Sequence, residues 1–94
     1  MFRIVFKREA IRQLKKIHRF YARAIVDAIE THLGEEPERA TRTSIKRLRG
    51  RQQATFRLRV DDYRVFYDVI EDRVEIVQIL HKSETRLFYE EDEK

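Results

Sequence analysis

The sequence predicts an α+β fold of order β-α-α-β-β-β, an antiparallel sheet packed on an N-terminal helical hairpin. Three observations lead there. Phe2, Ile4 and Phe6 alternate with Arg3, Val5 and Lys7, the period of two that marks a half-buried strand. From Glu9 the period lengthens to three and four residues, through Ala10, Ile11, Leu14 and Ile17, and again through Ala22, Ile25, Val26, Ile29 and Leu33. Beyond residue 55, β-branched and aromatic residues alternate with polar ones in three runs, separated by Asp61-Asp62 and Glu71-Asp72.

Each element follows in order. The first strand starts almost at the N-terminus. Two amphipathic helices follow, broken at His18-Arg19-Phe20 and folded back on one another as an antiparallel hairpin. Gly34 falls where a helix C-cap is expected, and Glu35-Glu36-Pro37 ends the second helix near Leu33, because the residue before a proline avoids helical geometry. Residues 38–53 show little periodicity and many Arg and Lys, so they read as a loop with room for one helical turn. Phe56, Leu58 and Val60 then alternate with Arg57 and Arg59, Tyr63, Val65 and Tyr67 alternate with Arg64 and Phe66, and Val74-Glu75-Ile76-Val77-Gln78-Ile79-Leu80 forms the last strand. The first strand joins this meander and the helices cover one face, giving a single two-layer domain over residues 1–94.

Composition narrows the functional classes. A chain of 94 residues builds one compact core, and 41% hydrophobic residues supply the apolar material for it despite 40% charged residues. No uncharged apolar run approaches the ~20 residues needed to cross a bilayer, and Met1 to Phe6 is too short for the apolar region of a signal peptide. A cytoplasmic location is expected. The absence of Cys excludes disulfides, thiolate nucleophiles and Cys-ligated metals, and the three His are too dispersed for a zinc cage. Neither a metal nor a cofactor is expected. The net charge of +4 is unevenly spread, with a basic body set against the acidic tail Glu90-Glu91-Asp92-Glu93. A basic body attracts phosphates, and it equally describes a solvated surface.

Strand pairing sorts the cations. With Asp61-Asp62 as a two-residue loop, Arg59 lies opposite Arg64, Leu58 opposite Val65, and Arg57 opposite Phe66, so Arg57, Arg59 and Arg64 share a face. With Glu71-Asp72 as the next loop, Arg64 falls opposite Ile79, Phe66 opposite Val77 and Tyr67 opposite Ile76. On this register His81 continues onto the arginine face, and Leu80 joins Phe56, Leu58, Val60, Tyr63, Val65, Tyr67 and Ile76 beneath the helices. Arg59 across from Arg64 is a like-charge pair that costs a few tenths to ~1 kcal/mol unless an anion, water or an acid such as Asp68 or Glu75 intervenes. Lys46, Arg47, Arg49 and Arg51 add four cations just before this strand and suit the phosphates of one nucleic-acid strand. His18 and His32 read as structural, at the helix junction and near a helix C-terminus.

Over nearly its whole length the chain resembles the RelE/ParE toxin superfamily of bacterial and archaeal toxin–antitoxin modules. The resemblance rests on Ile4-Val5-Phe6, Leu14-Lys15-Lys16-Ile17, Lys46-Arg47-Leu48-Arg49-Gly50, Phe56-Arg57-Leu58-Arg59-Val60, Asp62-Tyr63-Arg64-Val65-Phe66-Tyr67 and Ile79-Leu80-His81-Lys82, in that order and spacing. It implies a RelE-like fold and neutralisation by a cognate antitoxin protein. For the RelE branch it implies a ribosome-dependent mRNA endonuclease, acting without metal on mRNA in the ribosomal A site by attack of a ribose 2′-hydroxyl on the adjacent phosphate.

The resemblance also assigns residues. The family's basic strand positions fall on Arg57 and Arg59, its Tyr-Arg pair on Tyr63 and Arg64, and its closing basic or histidine position on His81 or Lys82. Its closing tyrosine corresponds to Tyr89, which stands further from His81 than family spacing has it. Arg at 57 and 59 replaces the Lys that RelE-type enzymes can carry, and an arginine does not exchange protons near neutral pH. Proton transfer therefore falls to His81, Lys82 or Tyr89, with a strand-end His bonded to backbone as the alternative for His81. The basic face of Arg57, Arg59, Arg64 and His81 favours the nuclease. A ParE-like DNA gyrase inhibitor without nuclease chemistry is the alternative, and a co-repressor acting with antitoxin on operator DNA is a third.

Overall fold

The structure, a computed structural model, describes residues 1–42, 44–49 and 54–85. It contains strand β1 (Arg3–Phe6), helices α1 (Arg8–Lys16) and α2 (Arg19–Leu33), strands β2 (Ile45–Arg47), β3 (Phe56–Val60), β4 (Tyr63–Ile70) and β5 (Arg73–His81), and a 3-10 turn over Lys82–Glu84. No helix among the described residues is long and apolar enough to cross a membrane. The strands form one sheet in the order β1-β5-β4-β3-β2.

The α+β class and the helical hairpin agree with the sequence, and the make-up of the sheet differs in two ways. The sheet is mixed: β1 runs parallel to β5, while the other neighbours are antiparallel. Parallel neighbours need a long crossover, and the helical hairpin supplies one. The second difference is β2, which forms where a loop was expected. Three residues are too few to display a period, yet Ile45 is only 3% exposed and pairs with Leu58, so burial and ladder bonds together extend the sheet.

The helices part where Ile17 and His18 turn to extended backbone, and the His18 Nδ1 accepts the Phe20 N–H at 3.1 Å to cap α2. From α2, Ile25, Ile29 and Leu33 enter the core, against Phe56, Leu58, Val65, Tyr67, Val74, Ile76 and Ile79 of the sheet. The stripe that α1 turns inward is Ala10, Gln13 and Leu14, continued by Ile17 just past its end, whereas Ile11 is 41% exposed. Ile11 therefore leaves the stripe expected for it, since the positions three, four and seven after Ala10 are the ones sharing its side. Tyr67 stacks on Phe56 at 5.4 Å, and its hydroxyl donates to the Pro37 carbonyl at 2.6 Å, tying the chain after α2 to the sheet.

Both expected two-residue loops are present, each opening on a residue with positive φ, Asp61 and Glu71. The β3–β4 register is the expected one, with Arg59 opposite Arg64. The β4–β5 register begins as expected, with Tyr67 opposite Ile76, and then shifts by one residue, so that Phe66 meets Gln78, Arg64 meets Leu80 and Tyr63 meets His81. Val77 is the additional residue of this β-bulge. Because side chains alternate with period two, a slip of one residue exchanges faces. Ile79 goes to the helix side, Leu80 joins Phe66, Ala54 and Leu48 on the opposite side, and His81 leaves the arginine face for the side of Tyr63.

Candidate nucleic-acid interface

Three adjacent strands carry cations onto the side of the sheet away from the helices. Lys46 of β2 lies opposite Arg57 of β3, and Arg59 of β3 lies opposite Arg64 of β4. Directly opposed residues point to the same side, so the four basic groups form two like-charge pairs on one face. The pairs differ in setting. Arg57 is 3% and Arg64 8% exposed, whereas Arg59 stands in solvent. The Arg64 Nη1 donates at 3.0 Å to the carbonyls of Asp61 and Tyr63, which fixes its guanidinium beneath the β3–β4 loop.

Two acids of this face, among the described residues, are bonded to other groups. The Asp68 Oδ1 accepts from the Thr55 N–H at 2.8 Å and from the Thr55 hydroxyl at 2.7 Å. Glu75 accepts from the Arg73 Nε at 2.9 Å and lies 3.8 Å from the Lys7 Nζ. The hydrogen bond from Arg73 holds the Glu75 carboxyl below its usual range, with the Lys7 charge acting the same way. Asp68 and Glu75, named beside water as one way of separating the arginines, bond Thr55 and Arg73 respectively.

The sequence model of the ParE toxin of type II toxin–antitoxin systems, parDE, matches residues 4–93. The chain belongs to this family. Solved structures with the same fold include the RelBE2 toxin–antitoxin complex of Mycobacterium tuberculosis, at 28% identity and TM-score 0.72, covering 85% of this chain and 96% of that one. The archaeal RelE–RelB complex of Pyrococcus horikoshii OT3 matches at 20% identity and TM-score 0.70, over 86% of this chain and 94% of that one. The RelB–RelE complex of Methanococcus jannaschii matches at 19% identity and TM-score 0.68, over 90% and 98% respectively. No curated protein sequence matches the chain. The fold is the RelE-like one, and the protein is a type II toxin.

In the toxin, Arg57, Arg59, Arg64 and Lys46 come together, and the remaining candidates spread around them. Arg47 turns to the helix side, its guanidinium 5.2 Å from the centre of the Phe56 ring, and Arg49 is exposed just beyond β2. Arg51 and Tyr89 lie outside the described residues. His81 packs edge-on against Tyr63 at 5.3 Å, and Tyr63 in turn lies 6.1 Å from Tyr21, at ring centroids. The His81 Nδ1 accepts the Ser83 N–H at 3.1 Å while the Glu84 carboxylate accepts the His81 N–H at 2.8 Å, a capping box for the 3-10 turn. Lys82 reaches the Asp62 carboxylate at 3.5 Å.

The sequence reading named Lys46 as a phosphate-binding cation but missed its place beside Arg57, and it missed Gln13 altogether. Lys46 becomes the partner of Arg57 only through a strand too short to announce itself. Gln13 bonds the bulge of β5, and its one signal was a polar residue on the inward stripe of α1.

Proposed function

We propose that this toxin is a ribosome-dependent mRNA endonuclease of RelE type. The observation that carries the reading is the convergence of four cations on one face of the sheet, Lys46 opposite Arg57 and Arg59 opposite Arg64. A concentration of positive charge of this kind attracts the phosphates of a polyanion. An RNA phosphate held there sits among guanidinium groups fixed by burial and by the Asp61 and Tyr63 carbonyls, so little reorganisation is needed as charge develops.

In the reaction, the ribose 2′-oxygen bonds to the adjacent phosphorus, the bond to the 5′-oxygen breaks, and a cyclic phosphate and a 5′-hydroxyl result. One proton leaves the 2′-hydroxyl and one reaches the departing oxygen. Arg57, Arg59 and Arg64 stabilise the phosphorane-like charge. The His81 Nδ1 faces Ser83, 2.9 Å from its hydroxyl oxygen, which leaves Nε2 as the ring nitrogen to give a proton to the leaving oxygen; the imidazolium form is the donor, with its Nδ1–H donating to the Ser83 hydroxyl. Lys82 and Tyr89 are the other candidates for proton transfer. Lys46, Arg47, Arg49 and Arg51 hold flanking phosphates. A cognate antitoxin neutralises the toxin, in keeping with the RelE–RelB complexes it resembles, and the pair binds operator DNA.

A ParE-like action on DNA gyrase is the second reading. The match to the parDE family model favours it, as does the commitment of His81 to a cap. Induction of the toxin in cells, with mRNA 5′ ends mapped with and without translation, separates the two. Cuts confined to translated frames support the nuclease; gyrase-linked DNA breaks without mRNA cuts replace it with the second reading.

A further inference from the structure

The hydrophobic pattern of β5 leaves its register open. Ile79 and Leu80 are isomers on adjacent positions, so either one fills the helix-side core: Ile79 does so when the strand bulges at Val77, and Leu80 does so when it does not. Burial alone hardly separates the two registers. They differ in polar bonding: β1 runs beside β5 only as far as Ile76, and the bulge turns the N–H of Ile79, a residue only 2% exposed, toward that unpaired edge, where leaving it unbonded is costly.

Gln13 meets that need from α1. Its Oε1 accepts the Ile79 N–H at 2.6 Å, and its Nε2 donates to the Gln78 Oε1 at 2.6 Å. One side chain thus bonds both residues that follow the bulge, across the layer between helix and sheet. We infer that Gln13 is a positioning residue that sets the register of β5 beyond Ile76, and so decides whether His81 stands beside Tyr63 or on the face of Arg59 and Arg64. Its functional consequence rests on the reading of His81 as a proton-transfer group; the register itself does not.

The test is NMR of the full chain with two substitutions. Gln13→Met keeps length and removes both hydrogen bonds, and is expected to abolish the Tyr63–His81 ring contacts, bring Leu80 next to helix-side residues, and speed exchange of the Ile79 amide by about tenfold or more. Gln13→Glu restores the native pattern, since a carboxylate accepts the Ile79 N–H and the Gln78 amide can turn to donate. A third variant lacks Val77, so that Ile76, Ile79 and His81 share a side by plain alternation; there Gln13→Met leaves the Tyr63–His81 contact intact. Native Tyr63–His81 contacts in Gln13→Met, or failure of Glu to restore them, overturns the inference. A shifted register with growth arrest unchanged upholds it and removes His81 from the chemistry instead.

Discussion

Arg59 and Arg64 stand directly opposite each other in the β3–β4 ladder, and the two are not equivalent. Arg64 is 8% exposed with two backbone carbonyls bonded to its Nη1, while the exposed Arg59 makes no side-chain hydrogen bond or ion pair among the described residues. The repulsion between them is shared, but the bonds that offset it belong to Arg64.

Substitution should therefore split the pair. Arg59→Ala removes repulsion and no bond, so urea melts should show stability unchanged or raised by a few tenths of a kcal/mol. Arg64→Ala also loses its bonds to the loop carbonyls and should cost about 1–3 kcal/mol. Both should lower mRNA cleavage, Arg64→Ala by roughly 10²–10³-fold if it stabilises the developing charge. A larger loss of stability from Arg59→Ala than from Arg64→Ala would contradict this division.

The legible part of the site was the part fixed by a short loop. Asp61-Asp62 leaves only two residues to reverse the chain, so the facing of Arg59 and Arg64 followed from counting. The same counting failed one hairpin later, because neither Ile79 nor Leu80 gives the apolar pattern a reason to prefer one side, and the deciding group, Gln13, lies more than sixty residues away in sequence. The placement of Lys46 opposite Arg57 was illegible for another reason: Ile45–Arg47 is a strand only because Leu58 and the core are there to receive it.

Binding of a single-stranded oligonucleotide should weaken with salt by a slope of about −0.7 in log K against log salt for each phosphate engaged. Replacing exposed Arg59 by Ala should flatten that slope by about 0.7. Fluorescence titration across a salt series reads it, and an unchanged slope would place the phosphates away from β3.

Alkaline stability should hinge on Tyr67. Burial, with the Glu38 charge adding to it, pushes its phenol above the ordinary value of 10.0. A folded-state pKa raised in this way contributes stability that is complete below the unfolded value and is lost as pH rises through the folded one. Melting temperature should thus fall progressively above about pH 10. Tyr67→Phe should cost about 1 kcal/mol at neutral pH, through the lost bond to the Pro37 carbonyl, and should shrink the alkaline decline. An alkaline decline identical in Tyr67→Phe would assign it to other groups.

His81 has two roles that a single alanine cannot separate. His81→Ala removes both the imidazole and the acceptor for the Ser83 N–H, and loss of such a cap costs about 0.5–2 kcal/mol. Asparagine is the more informative replacement, because its side-chain oxygen can take over the cap while it exchanges no protons near neutral pH. If His81 transfers a proton, His81→Asn should fold with near-native stability and cleave roughly 10²–10⁴-fold more slowly. Tyr89→Phe should then change the rate little. If His81 serves only the 3-10 turn, His81→Asn should cleave at the native rate while His81→Ala melts earlier, and a slow Tyr89→Phe would move the proton transfer to the tyrosine. Single-turnover cleavage on programmed ribosomes, read beside thermal melts of the same preparations, distinguishes these outcomes because only the chemical role separates rate from stability.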